Sequence, residues 1–143
     1  MTREWLTNLR EMVEAERSAI RVTIIRADGS TPRGVGCAMI VGRTAFSGTI
    51  GGGALEMGAL RTARRLLALF ATDTAPQWWR EVHDFPLGPA LGQCCGGFVQ
   101  LLFERVGEAE LCDVPIASSK DMLLVRHIKP GQPWRFATHR KDD

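Results

Sequence analysis

Residues 45–70 read AFSGTIGGGALEMGALRTARRLLALF, and the order of strand, glycine triplet and helix within them decides the fold. Ala45 to Ile50 reads as a strand. From about Leu55 to Phe70, the residues Leu55, Ala59, Ala63, Leu66, Leu67 and Phe70 keep a helical period. Gly51, Gly52 and Gly53 join the two. The first amides of a helix lack internal partners, and the helix dipole favours an anion beside them. Glycines let an anionic group reach those amides. A tight strand-to-helix connection accounts for the same triplet without any ligand. The spacing is neither the dinucleotide fingerprint nor the P-loop, so no nucleotide site follows from it.

Upstream, residues 3–17 form a helix whose apolar stripe is Trp5, Leu6, Leu9, Met12 and Val13. Ala19 to Ala27 reads as a strand with Ile20, Val22 and Ile24 on one face. Asp28 and Gly29 break it, and a loop runs to Gly34. Cys37 to Val41 is a second strand, with a turn at Gly42-Arg43-Thr44. Downstream, Trp78 to Phe85 and Phe98 to Val106 read as strands, and Pro86 to Gly92 as a loop. Gly107 to Ser119 is irregular. Met122 to Ile128 and Trp134 to Thr138 bracket Lys129-Pro130-Gly131-Gln132-Pro133, the pattern of a hairpin. The expected fold is one α+β domain, a mixed or mainly antiparallel sheet with two packed helices.

Bulk composition narrows the function classes. At 143 residues, 45% hydrophobic and 24% charged, the chain is long enough for one real core. A net charge of +2 gives no electrostatic case for nucleic acid. No apolar run reaches membrane-spanning length, and the charged N-terminus lacks a signal peptide's apolar stretch. A cytoplasmic protein with reduced thiols is expected. The four cysteines, Cys37, Cys94, Cys95 and Cys112, do not form paired CxxC zinc motifs.

Gly92-Gln93-Cys94-Cys95-Gly96-Gly97 is the run with the most chemistry in it. A strand would send the two adjacent sulfurs to opposite faces. The flanking glycines argue for a sharp turn instead. Thiols on such a turn suit a soft ligand site or redox chemistry. The bland alternative is a pair of small buried hydrophobes.

Three blocks together carry a resemblance. Gly29-Ser30-Thr31-Pro32-Arg33 with Gly34 and Gly36 comes first. Gly48-Thr49-Ile50-Gly51-Gly52-Gly53-Ala54-Leu55-Glu56 comes second, and Leu91-Gly92-Gln93-Cys94-Cys95-Gly96-Gly97 third. In this order the chain resembles the xanthine dehydrogenase accessory factor family (XdhC/CoxI), over about residues 15–105. The resemblance implies a cytosolic chaperone that binds molybdenum cofactor (molybdopterin) and helps load it into xanthine dehydrogenase or a related molybdenum hydroxylase. It also implies self-association as a homodimer. Family members usually carry a second, Rossmann-like domain. The 143 residues hold no glycine fingerprint for one, so only the N-terminal domain is expected, with residues 106–143 as an extension bearing the hairpin.

On that resemblance Cys94 or Cys95 is the expected metal-centre ligand, or protects a labile sulfur there. Gly51, Gly52 and Gly53, at the helix start, would receive the phosphate. Arg33 would add a bidentate anion contact, and Gln93 offers donor and acceptor to a pterin edge. Glu56, in the first helical turn, would orient Arg33 or an amide rather than touch the ligand.

Two other classes compete. One is a thiol-dependent sulfurtransferase or oxidoreductase using Cys94 and Cys95, although no histidine flanks the pair to lower a thiol pKa. The other is a non-catalytic oligomerisation domain. An accessory role rather than an enzyme is the expectation. Cys37 reads as core and Cys112 as incidental. His83, His127 and His139 form no ligand pattern. Trp78 and Trp79, if on a strand, would turn one ring to the core and the other to solvent or a partner, a hint of an interface.

Overall fold

The computed structural model describes residues 4–70, 75–87, 97–116 and 122–138. Helix α1 (Glu4–Glu16) leads into strand β1 (Ser18–Asp28), followed by β2 (Ala38–Val41) and β3 (Phe46–Gly48). Helix α2 (Gly53–Leu69) connects to β4 (Arg80–Leu87), then β5 (Gly97–Gly107). A short 3₁₀ turn (Glu110–Asp113) precedes a hairpin of β6 (Met122–Val125) and β7 (Arg135–Thr138).

The first five strands form one sheet in the order β3-β2-β1-β5-β4, and every neighbouring pair is antiparallel. The expected α+β domain with a mainly antiparallel sheet and two helices is the observed one. Because β3 and β4 are opposite edges, the chain between them must cross the whole sheet, and α2 is that crossing. Its apolar row Leu55, Ala59, Ala63, Leu66 and Leu67 is buried, as the period requires. It packs on Ile20, Val22 and Ile24 of β1 and Val99, Leu101 and Phe103 of β5. Phe70 caps the helix end and meets Trp79, ring centroids 4.8 Å apart.

The opposite face of the sheet carries α1, through Leu6, Leu9 and Val13, together with Trp78 and Trp134. This second layer also holds buried charge. The Glu104 carboxylate on β5 has no exposed surface. The indole N–H of Trp134 donates to it over 2.8 Å, and the Arg126 Nε lies 3.0 Å away. Arg80, opposite Glu104 in the β4–β5 register, is also beside it, at 3.7 Å. Arg80 donates onward to the carbonyls of His127 and Gln132. Glu104 and Arg80 thus tie the hairpin and the chain before β7 to the sheet. Arg21 on β1 faces the same layer, its guanidinium 4.2 Å from the Trp5 ring centroid. Burial pushes Arg21 down to about 10, the nearby Arg126 charge adds to that, and Glu104 opposes it.

Four sequence expectations shift in detail. The third strand is only Phe46–Gly48, because Gly48 turns to φ 82° and ends the ladder. Cys37 lies just outside β2, half-buried against the α2-side core. The first hairpin strand ends at Val125, leaving a longer connection. The tryptophan pair corrects the interface expectation. Both tryptophans precede β4, Trp78 with φ 52°, and their rings part to the two faces of the sheet, each into a core rather than one to solvent. Trp78 is buried against Trp134, and Trp79 packs on the α2-side core. The unusual Trp78 backbone is held at both ends: its N–H donates to the buried Glu110 carboxylate at 3.0 Å, and its carbonyl accepts from Gly131.

The buried charges are unequal in what they contribute. Glu104→Ala leaves Arg80 and Arg126 without their carboxylate, and should lower unfolding free energy by about 3–5 kcal/mol in chemical denaturation. Arg21→Met keeps the stem's volume and removes a charge that the fold resists. It should leave stability within about 1 kcal/mol of the native chain, or raise it. A large loss from the Arg21 variant would reverse this ranking.

Candidate functional site

The first two sequence blocks and Gly97, the last residue of the third, meet at one end of the sheet, in contacts that only a glycine allows. In the β1–β5 ladder Asp28 stands opposite Phe98, so the loop leaving β1 begins beside the residues that enter β5. A Cβ added to Gly97 would fall 2.1 Å from the Ser30 carbonyl oxygen and 3.0 Å from the Thr31 methyl. Only glycine allows that approach. The second block closes on the first in the same way. A Cβ on Gly51 would fall 2.5 Å from the Pro32 Cβ and 3.4 Å from the Arg33 Cγ. Gly51, Gly52 and Gly53 all have positive φ, at 121°, 75° and 64°. The chain can therefore fold back at the Pro32 ring and open a helix within three residues.

The loop between the first block and β2 is tied to the β1 bulge. The Gly36 amide donates to the Ile24 carbonyl at 2.8 Å, and the Ile24 amide to the Cys37 carbonyl at 2.9 Å. These bonds hold Arg33 on a short excursion at the sheet's end. Arg33 is exposed, and no ion pair involves it among the described residues.

Helix α2 starts without a side-chain cap at Gly52. Glu56 takes that place from within the helix. Its Oε1 accepts from the Thr49 hydroxyl at 2.5 Å, the Ile50 amide at 3.1 Å and the Gly52 amide at 3.2 Å. The Thr49 hydroxyl oxygen in turn accepts from the Gly51 amide at 3.0 Å. Burial pushes the Glu56 carboxyl up, but the three donors, Thr49, Ile50 and Gly52, outweigh it and hold the group below the ordinary carboxylate range. Glu56 therefore orients amides, the second of the two roles its position suggested. An incoming phosphate would compete with Glu56 for the Ile50 and Gly52 amides. At Gly52 the outward side is open, since an added Cβ there meets nothing within 4 Å.

Gln93, Cys94 and Cys95 lie outside the described residues. Their neighbour in sequence, Gly97, is the residue that locks onto Ser30. Among the described residues no group of three or more His, Cys, Asp or Glu could hold a metal. Cys37 and Cys112 are both free thiols. His83 sits on β4, paired with Glu81 and edge-on to Phe103, away from any ligand set. Thr49 is the site residue whose role sequence reading missed. It lies inside the second block, but nothing in that spacing announces that its hydroxyl bridges Gly51 and Glu56. No helix among the described residues is long and apolar enough to cross a membrane.

Residues 12–73 match the model of the XdhC and CoxI family, the family that the three blocks resemble. That span contains the first two blocks and the contact between Gly51 and Pro32. The crystal structure of a xanthine dehydrogenase from Bacillus halodurans shares the fold over 72% of this chain, with a TM-score of 0.56 and 20% identity. This chain spans 30% of that one, and at such identity the likeness speaks for the fold alone. No curated protein matches.

Two outcomes follow from the site's construction. Gly97→Ala drives a methyl into the Ser30 carbonyl. It should cost about 1–3 kcal/mol and loosen the Ser30–Arg33 loop, read by thermal melting and by faster amide exchange there. Glu56 has a lowered folded pKa, so its contribution is present above the unfolded value, about 4.3, and is lost as pH falls through the folded value. Glu56→Gln should remove that dependence on the acid side. Identical acid-limb melting curves for both chains would contradict the assigned hydrogen bonds.

Proposed function

For a chain whose residues 12–73 carry the XdhC and CoxI pattern, we propose the role of a molybdenum cofactor chaperone. It would hold the cofactor and hand it to xanthine dehydrogenase or a related molybdenum hydroxylase. The observation that carries this reading is the convergence of the first two blocks and Gly97, the end of the third, through Gly97 on Ser30 and Gly51 on Pro32. Residues separated by more than sixty positions are brought to one sheet end by contacts that tolerate no side chain. A packing role alone gives no reason for an exposed arginine at that junction.

The donor set fits such a ligand. Arg33 offers a planar fork of donors to a phosphate. Gly52 leaves backbone open to a close approach, and Glu56 keeps the turn in shape. Cys94 and Cys95 would supply soft sulfur donors, and Gln93 a donor and acceptor for the pterin edge. When bound, the cofactor would supply the metal–sulfur chemistry. The chain's own part is to bind, orient and shield it. Self-association as a homodimer belongs to the same reading. β3 is a three-residue edge strand whose Phe46 is 46% exposed, a surface that a second copy could cover. Sedimentation at micromolar concentration should show dimer.

The reading is tested on protein purified from cells that make the cofactor, by molybdenum analysis and absorbance. The native chain should carry molybdenum. Cys94→Ala or Cys95→Ala should lower retention sharply, one more than the other, because adjacent side chains do not easily aim at one atom. Arg33→Ala should weaken retention in a salt-sensitive way. Thermal stability should stay within about 0.5 kcal/mol for the exposed Arg33 variant. Normal retention in the Cys94→Ala/Cys95→Ala double variant would end the thiol-ligand assignment.

A further inference from the structure

The buried row of α2 is accounted for by the core, but its outward row is not. Met57, Arg61, Arg65 and Leu69 follow one another at four-residue intervals, on the side away from Leu55, Ala59, Ala63, Leu66 and Leu67. Met57 is 62% exposed and Leu69 69% exposed. Both arginines between them are exposed, and neither makes an ion pair among the described residues. After Glu56 the helix carries Arg61, Arg64 and Arg65 and no acidic residue. Like charges four residues apart weaken an isolated helix, so nothing in α2's own stability favours this row. Two apolar anchors about 18 Å apart along the axis, with two unpaired guanidinium groups between them, form a surface without its complement.

We propose that this outward row of α2 docks an acidic protein surface bearing apolar side chains, and that its owner is the enzyme that receives the cofactor. The proposal rests on the chaperone reading for the partner's identity, while the surface itself is read from α2 alone. Three observations favour a protein over a membrane or nucleic acid. The helix's main apolar row is already buried against the sheet, so α2 cannot lay an apolar face into lipid. Two guanidinium groups on a chain of net charge +2 are too few for the phosphate contacts that hold nucleic acid. Arginine between apolar anchors is the composition of a protein-binding patch. Position also fits delivery. Met57 is adjacent to Glu56, so a partner lying along this row reaches the glycine turn that closes on Pro32.

The test measures binding of the full chain to purified, cofactor-free xanthine dehydrogenase, to phosphatidylcholine–phosphatidylserine vesicles and to a short DNA duplex. The variants are R61E/R65E and M57A/L69A, with thermal melting to confirm the fold. The native chain should bind the enzyme with an affinity that falls as salt rises. R61E/R65E should weaken it by about tenfold or more, and M57A/L69A should weaken it as well. Neither pair should alter molybdenum retention. Unchanged enzyme binding in both variants, or no binding by the native chain, overturns the proposal. Binding to vesicles or duplex that depends on this row, with none to the enzyme, also overturns it. A native chain that binds the enzyme through this row yet never retains molybdenum would sink the chaperone reading and leave the docking surface standing. Retention with variant-insensitive binding would do the reverse.

Discussion

No side chain fits at position 97, and the site depends on that constraint. β5 enters the sheet with its first residue pressed against the Ser30 carbonyl. The strand then runs between β1 and β4, making the central ladders of the fold. One residue thus fixes where the sheet ends and where the loop carrying Arg33 begins. Gly51 repeats the device from the other side, against Pro32. The first contact is backbone on backbone and the second is backbone on the Pro32 ring, so the junction is defined by chain path more than by side-chain rotamers.

Further along β5 the second layer of the fold is held by charge. Glu104 is fully buried in β5, beneath the hairpin, and three groups converge on it: Arg80 from β4, and Arg126 and Trp134 from the two ends of the hairpin connection. A buried carboxylate is costly unless its partners are all in place. These contacts tie both ends of the hairpin connection to β5 and β4. Arg21 shows the other side of the arrangement, a buried cation set against the Trp5 ring, donating to the Thr23 hydroxyl and favoured by the Glu104 charge.

What was legible in the sequence follows from which forces act locally. The α2 row is periodic, and there periodicity reports burial directly; β1 alternates too, yet Arg21 and Thr23 are buried along with Ile20, Val22 and Ile24 because both faces of the strand are covered. The glycine triplet marked the strand-to-helix turn because positive φ is a local demand. The Glu104 cluster was not legible, since it joins residues from three elements and a lone glutamate in a strand pattern resembles a solvent-facing position. Trp78 misled for a related reason. Its neighbour in sequence suggested alternation, but a positive φ and the Glu110 carboxylate remove it from the strand. Arg33, Gly51, Gly52, Gly53 and Glu56 were named from the blocks, and the structure brings them to one turn. The Thr49 bridge was not, because a hydroxyl's partner is set by a turn geometry that spacing alone does not fix.

The division of labour along the chain carries a physical consequence. The cores on both faces of the sheet are packed with large apolar side chains, while the end where the blocks meet is built from glycines and a few hydrogen bonds. Packing rigidity is thereby kept away from the junction, and the junction's shape is held by Glu56, Thr49 and two glycine contacts. On the chaperone reading proposed above, a ligand at this end would meet a surface with little apolar area to desolvate, with Arg33 exposed beside it and the Ile50 and Gly52 amides held by Glu56. Few buried atoms would contribute to holding it, which is the balance a carrier needs if it is to release what it holds. On the same reading, a recipient docked on the exposed row of α2, which begins beside Glu56, would bear directly on that turn.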